Sequence, residues 1–324
     1  MIKYVVTGAA GFIGSTLCQS LLRNDQNCMV YGIDNLNDAY DRNIKHWRLS
    51  ELKQMEKFRF VEEDISKENS KWTNVFENAD VVFHLAARAG VIASVKKPRE
   101  YVHANIHGSL NLLEACKKYS VDRVIMASTS SVYGASKELP FKESGESSLT
   151  LSPYAATKKG AEALMFTYHY LYGMNVQVMR FFTVYGPAGR PDMSIFKFTK
   201  SIFEGEELTL YGDGGERDFT YVNDVVSGLQ KSAHINGFNI INLGSDRPVR
   251  ITKIIELIEK YVGRSASIKV IERDPSDISS TWADITVARR LLNWEPSTTI
   301  EDGLLNTVEW YRENREWLSR IEVG

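Results

Sequence analysis

One eight-residue stretch near the start constrains this chain more than any other feature. Thr7-Gly8-Ala9-Ala10-Gly11-Phe12-Ile13-Gly14 directly follows a short β-rich apolar run over residues 2–6. It leads into residues 15–22, where Leu17, Leu21 and Leu22 recur near helical spacing. Strand, glycine-rich turn and helix in this order form a dinucleotide-binding arrangement. The glycines permit a tight turn and close approach of a pyrophosphate, and the helix N-terminus offers free N–H groups and the positive end of its dipole. Gly8, Gly11, Phe12, Ile13 and Gly14 are therefore candidate cofactor contacts. Residues 28–33 read as a second strand, and Asp34 follows it, 20 residues after Gly14. An acid at that spacing accepts hydrogen bonds from the adenosine ribose hydroxyls and repels a 2′-phosphate, which favours NAD over NADP. Asn35 stands beside it.

The alternation continues along the chain. Residues 58–62 read as a third strand ending near Asp64 and Ile65, where a carboxylate suits the adenine amino group. Residues 81–85 read as a fourth strand, and Leu85, Ala86 and Ala87 leave room for the cofactor backbone. Residues 101–118 read as one long helix carrying Asn105, and residues 124–127 as a fifth strand. Strands alternating with helices imply an α/β fold with a doubly wound parallel sheet of the Rossmann type. His84, on an apolar strand, reads as a buried structural residue.

After the fifth strand come Thr129-Ser130-Ser131-Val132-Tyr133-Gly134 and then Tyr154-Ala155-Ala156-Thr157-Lys158. Tyr154 and Lys158 are four apart, so a helix places both side chains on one face. An ammonium beside a phenol favours the phenolate and lowers its pKa, which makes Tyr154 a candidate general acid/base. A hydroxyl from Thr129 or Ser130 would stand near it.

TGAAGFIG, the Asp after the second strand, HLAA, SSVYG and YAATK together resemble the extended short-chain dehydrogenase/reductase superfamily. Within it the chain is similar to the nucleotide-sugar branch of the NAD-dependent epimerase/dehydratase family. The resemblance runs from Met1 to the Trp310 region. It implies an isomerase that keeps NAD bound, with Tyr154 as general base, Lys158 on the nicotinamide ribose and Thr129 holding the reacting hydroxyl; Thr129 lies 25 residues before Tyr154. Arg88, Ser94, Thr183, Arg190, Arg217, Arg273 and Asp277 fall in segments that resemble the UDP-glucuronate 4-epimerases more than the UDP-glucose 4-epimerases. By that resemblance Arg217 and Arg273 grip the substrate diphosphate, which suits the bidentate fork of arginine, and Asp277 holds the uridine ribose. Ser130 is a further substrate contact. Ala188 stands where several members of that group carry a larger residue.

Oxidising C4 of a glucuronate creates a β-keto acid, which loses CO2 when its carboxylate bond aligns with the carbonyl π system. Thr183 and Arg190 are the candidates for holding that carboxylate out of alignment. The expected reaction is 4-epimerisation of a UDP-sugar, UDP-glucuronate foremost. The alternatives are a UDP-glucose or UDP-N-acetylglucosamine 4-epimerase, a UDP-glucuronate decarboxylase or a dehydratase on the same scaffold, and a non-catalytic NAD-binding sensor. Decarboxylases and dehydratases carry acidic residues near the catalytic Ser/Thr, where this chain has Ser130-Ser131.

With 324 residues, about two domains are expected. A cofactor domain is expected over residues 1–183 plus about 219–245, and a smaller, discontinuous α/β substrate domain over about 184–218 plus 246–324. Lys and Arg total 39 against 41 Asp and Glu, a net charge of −2, so no basic excess calls for nucleic acid or an anionic membrane. Cys18, Cys28 and Cys116 are too few and too scattered for a disulfide framework or a zinc cluster, and no metal is expected. No apolar run reaches membrane-spanning length and no signal peptide is apparent, so a cytoplasmic protein is expected. The family resemblance implies a homodimer paired through helices near 101–118 and 154–172. Residues 251–262, 287–292 and 303–318 read as helices, the last with Trp310, Tyr311 and Trp317 in packing roles.

Overall fold

The computed structural model describes residues 1–68, 71–272 and 280–323. Its strands are β1 (Ile2–Thr7), β2 (Cys28–Asp34), β3 (Phe58–Glu62), β4 (Val81–His84), β5 (Arg123–Thr129), β6 (Asn175–Phe181), β7 (Thr183–Tyr185), β8 (Glu207–Tyr211), β9 (Glu216–Tyr221), β10 (Phe238–Leu243), β11 (Pro248–Arg250) and β12 (Ser267–Ile271). Seven of them form one sheet in the order β10-β6-β5-β4-β1-β2-β3. Every pairing within it is parallel. The order reverses at β1, which lies between β4 and β2. Ligands bind at such a switch point, beyond the carboxyl ends of the strands.

Strand alternation explains the layering. Val5 and Val6 point to opposite faces of the sheet. Val5, Val82, Val124, Val176 and Val178 pack against Leu112, Leu113, Cys116, Ala161 and Met165. On the other face Val6, Phe83, Ile125 and Met179 meet Leu17 and Leu21 of α1 (Phe12–Asn24), together with Val225 and Leu229. Both faces are thus covered, as a parallel sheet requires.

A third cluster lies apart from the sheet. Phe196, Phe198 and Ile202 meet Ile254, Ile255 and Ile258 from the helix Ile251–Val262, with Leu304, Val308 and Tyr311. The small β11-β9-β7 and β12-β8 sheets belong to this part of the chain. Asp218 on β9, fully buried, ties it to neighbouring loops by accepting from the backbone N–H groups of Asp246 (3.1 Å) and Ala283 (3.0 Å).

Two helices differ from the sequence expectation. The long helix over residues 101–118 contains a π-helical turn, Val102–His107, before the α-helix Gly108–Lys118. Inside that turn Asn105 is buried and satisfies both the N–H (2.8 Å) and the C=O (3.0 Å) of Arg88, an anchorage that local periodicity does not reveal. The last helix runs from Ile300 to Glu313, capped by Thr299, and a separate turn follows at Arg315–Leu318. Trp310 and Trp317 pack against Trp47, at ring distances of 5.4 and 5.7 Å.

Candidate active site

A cleft of about 380 Å³ opens at the carboxyl ends of β1, β2, β4, β5 and β6. Gly8, Gly11, Phe12, Ile13 and Gly14 line one end of it. Gly8 has φ +74°, a left-handed conformation that glycine adopts freely. Gly14 faces the Gly8 carbonyl so closely that an added Cβ would stand 2.1 Å from that oxygen. α1 begins here with Gly11 as N-cap and no side-chain cap, which leaves its first N–H groups for an anion.

Asp34, at the end of β2, lines the same end. Its carboxylate accepts from the N–H groups of Ala10 (3.1 Å) and Leu36 (2.8 Å), which fixes its orientation against the turn. Asp64 accepts from Ser66 Oγ (2.6 Å), Ser66 N (2.9 Å) and Asn35 Nδ2 (3.1 Å). Burial pushes the Asp64 carboxyl up, but these hydrogen bonds outweigh it and hold the pKa below the usual range. Ile65, Leu85, Ala86 and Ala87 complete this half of the wall, with Asn35. An uncapped helix start, a glycine cradle and two oriented carboxylates fit NAD.

The other half carries Thr129, Ser130, Tyr154, Lys158, Thr183 and Arg190. The helix Pro153–Tyr172 starts at Ser152, whose side chain accepts from Ala155 N (3.2 Å), and has Pro at its first position. That start presents Tyr154 and Lys158 to the cleft one turn apart. Tyr154 and Thr129 both line this half of the cleft. Of the two hydroxyls open in the sequence, Thr129 is the one that acts on the phenol's pKa, and its Oγ1 donates to Ser131 Oγ at 3.2 Å. Burial raises the Tyr154 pKa, while the Thr129 hydroxyl and the Arg190 charge pull it down. The net direction corrects the expectation of a lowered value, because desolvation of the phenolate outweighs its neighbours. Lys158 is lowered to about 8 by burial, against which the Glu162 carboxylate works. At neutral pH it therefore still carries its proton.

Behind this wall His84 is fully buried. Its Nδ1 lies 2.9 Å from Thr7 Oγ1 and its Nε2 3.0 Å from Ser109 Oγ, and burial lowers it to about 3. It is a neutral structural strut, as its apolar strand suggests.

Four predicted contacts do not line the cleft. The Arg88 guanidinium is in ion pairs with Asp38 (3.1 Å) and Glu100 (3.0 Å). Ser94 is buried and donates to Val91 O at 2.6 Å. Asn105 serves the Arg88 backbone and donates to Thr157 Oγ1 at 2.9 Å. Arg217 lies on β9, and its Nη1 donates to the Glu216 carbonyl at 2.9 Å. Arg273 and Asp277 lie outside the described residues.

Sequence reasoning missed Tyr40 and Lys45, which also line the cleft. Lys45 belongs to α2 (Arg42–Lys53), donates to Asn37 O (2.8 Å) and Asn37 Oδ1 (2.9 Å), and lies 4.8 Å from the Tyr40 ring. Burial lowers its pKa to about 8. A lysine on a helix that opens just beyond Asp34 was the available signal. Arg190 also faces the Tyr40 ring, at 5.5 Å, and its Nε donates to Asp192 Oδ1 at 3.0 Å. Burial works against the Arg190 charge, yet Asp192 holds the guanidinium firmly protonated.

The chain is 49% identical over 324 residues to the UDP-glucuronate 4-epimerase of Thermodesulfobacterium geofontis (strain OPF15), an alignment covering 99% of each. It is similar to the crystal structure of UDP-glucuronic acid 4-epimerase from Bacillus cereus in complex with UDP-glucuronic acid and NAD. The TM-score is 0.91 at 38% identity, over 97% of this chain and 100% of that one. The UDP-glucose 4-epimerase of Thermotoga maritima has a TM-score of 0.87 at 31% identity, over 97% of this chain and 100% of that one. The sequence profile described as "NAD dependent epimerase/dehydratase family" matches residues 4–244. With its cleft at the switch point of a parallel sheet, the chain belongs to the NAD dependent epimerase/dehydratase family.

Proposed function

We propose that this chain interconverts UDP-glucuronate and UDP-galacturonate by NAD-dependent epimerisation at C4. The observation that carries the uronate over a neutral sugar is Arg190. Its guanidinium lines the cleft, as does Thr183, and acts electrostatically on Tyr154, so a carboxylate two atoms from the reacting carbon would meet a half-buried cation.

The Tyr154 phenolate takes the proton from the C4 hydroxyl as C4 becomes a carbonyl. Thr129 holds that oxygen against Tyr154. Lys158 keeps a positive charge beneath the phenolate and binds the nicotinamide ribose. NAD, when held in this cleft, would supply the acceptor for the C4 hydride and the source of its return. Thr183 and Arg190 hold the C6 carboxylate out of line with the C4 carbonyl, which suppresses loss of CO2. Arg217, Arg273 and Asp277 keep the UDP moiety tethered while the sugar turns about its diphosphate linkage, and Tyr154 then returns the proton on the other face. Gly8 to Gly14, Asp34, Asn35, Asp64, Ile65 and Leu85 to Ala87 hold NAD, with Asn105 supporting that wall. Ser130 lines the sugar end, and Arg88 and Ser94 act from behind that wall through their own contacts.

Residues 1–183 with about 219–245 form the cofactor part in this reading, and about 184–218 with 246–324 the sugar part. The separate core around Phe196, Ile254 and Leu304 supports that division. Two copies pair through the helices near 101–118 and 154–172. Exposed Val102, Leu110, Leu171 and Tyr172 support this pairing, and light scattering of the purified protein tests it. Among the described residues no helix is long and apolar enough to cross a membrane. We place the enzyme in the cytoplasm, where its three buried free thiols suit a reducing compartment.

NMR of the purified protein with UDP-glucuronate, and separately with UDP-glucose, both without added NAD, tests the reading. A galacturonate product is expected. A UDP-pentose would mean decarboxylation, and turnover of UDP-glucose alone would transfer the activity to a neutral sugar.

A further inference from the structure

Arg48 is 1% exposed, yet none of the acceptors that satisfy it is a carboxylate. Its Nε and Nη2 both reach the Ala188 carbonyl, at 3.0 and 2.7 Å, and Nη2 also reaches the Gly189 carbonyl at 3.0 Å. Its Nη1 donates to the Ala10 carbonyl (3.3 Å) and to the Tyr40 hydroxyl (2.8 Å). These bonds occupy all five N–H donors of the guanidinium. A buried cation among neutral oxygens is an expensive choice for mere packing.

The partners say what the side chain joins. Ala10 belongs to the glycine-rich turn, and the Arg48 guanidinium carbon also lies 5.9 Å from the Phe12 ring. Ala188 has φ +53°, a left-handed conformation unfavourable for a residue with a Cβ, and its carbonyl is the one that receives the fork. Arg190 follows two residues later. Tyr40 forms a second route, since its hydroxyl takes the Arg48 bond and its ring lies 5.5 Å from the Arg190 guanidinium carbon.

We propose that Arg48 is a positioning residue for substrate discrimination: it pins the Ala188–Arg190 loop to the glycine-rich turn and so sets where the Arg190 guanidinium stands relative to bound NAD. The proposal rests on the reading of Arg190 as the group that receives the substrate carboxylate. Lysine cannot replace Arg48, because a point ammonium with three donors cannot span Ala10, Tyr40 and the two loop carbonyls.

The test is a double-mutant cycle on the NAD-loaded protein. Arg48→Lys, Arg190→Ala and the double variant are compared for NAD content, unfolding temperature, UDP affinity, KM for UDP-glucuronate, and the split between epimer and decarboxylated pentose. With NAD retained, Arg48→Lys is expected to raise KM about tenfold and to increase the pentose fraction, with UDP affinity within about twofold of wild type. Added to Arg190→Ala, it is expected to change KM by less than about twofold. A residue that only fastens the fold would lower the unfolding temperature, leave the product split alone, and multiply with Arg190→Ala. If Arg48→Lys does not fold, Tyr40→Phe carries the test, with an expected rise in KM of about threefold.

Unchanged KM and product split in a folded Arg48→Lys or Tyr40→Phe protein would overturn the proposal while leaving the proposed reaction intact. Wild type inactive on UDP-glucuronate would overturn the reaction, and an Arg190→Ala variant with wild-type KM would overturn the carboxylate assignment. Either result also removes the ground for a role of Arg48 in discrimination.

Discussion

Arg180 grips Glu162 bidentately, with Nε 2.9 Å from Oε1 and Nη2 2.8 Å from Oε2, and both side chains are buried. Ser128 Oγ donates to the same carboxylate at 2.6 Å, and the Arg180 guanidinium stacks 4.8 Å from the Tyr133 ring. Glu162 stands one helical turn beyond Lys158 and opposes the burial that lowers the Lys158 pKa. The pair therefore backs the helix that carries Tyr154 and Lys158 in both packing and charge.

Glu162→Gln should leave Arg180 buried without its partner and lose about 3–5 kcal/mol of stability. Lys158 should also lose its proton at a lower pH than the present value of about 8. Urea unfolding reads the first effect. A shift of the alkaline limb of kcat to lower pH reads the second, since the ammonium is the working form.

Tyr154→Phe keeps the ring and removes the phenolic hydroxyl from the cleft. Turnover should fall by roughly 10²–10⁴-fold, the usual contribution of a general acid/base. NAD content and UDP affinity should stay close to wild type, as measured by extraction and calorimetry. Comparable turnover would remove Tyr154 from the mechanism.

Gly14→Ala would bring a methyl group 2.1 Å from the Gly8 carbonyl oxygen, in a turn with no flexible side chain to yield. The backbone must shift, at a cost of about 1–3 kcal/mol. The shift should also displace the uncapped start of α1, so the purified variant should carry less NAD. Absorbance of the extracted cofactor and thermal unfolding check both effects.

His84 is held neutral, its pKa lowered from 6.5 to about 3. Between those values the unfolded chain binds a proton that the folded chain refuses. Stability is therefore fully present above about pH 6.5 and is lost as pH falls towards 3, by up to about 1.4 kcal/mol per unit. His84→Gln should flatten that dependence between pH 6.5 and 4.5, at some loss of stability at pH 7. Urea midpoints at three pH values decide it.

Local features were legible in the sequence because the interactions that make them are local. The turn from Gly8 to Gly14, the acid at the end of β2 and the Tyr154–Lys158 spacing each depend on a few neighbouring residues and one helical or strand period. The strand alternation likewise announced the parallel sheet. The sequence alone thereby determined the fold class, the glycine-rich turn that lines one end of the cleft and the helix that presents Tyr154 and Lys158 to it.

Only tertiary structure decided what each charged side chain meets. Arg88, expected at the sugar, is occupied by Asp38 and Glu100, 50 and 12 residues away along the chain. Lys45 and Tyr40, unremarkable in the sequence, face the cleft where Arg48 of α2 joins the Ala10 carbonyl of the glycine-rich turn to the Tyr40 hydroxyl. Arg48 reaches Ala188 across 140 residues of chain, and Arg190 meets Asp192 and the Tyr40 ring only once that loop is folded back. The Tyr154 pKa runs opposite to the expectation from Lys158 alone because burial is a property of the assembled cleft. Periodicity records which face of an element is apolar. The partner of a long, charged side chain depends on which loops the fold brings within a few ångströms of it, and that is set by packing.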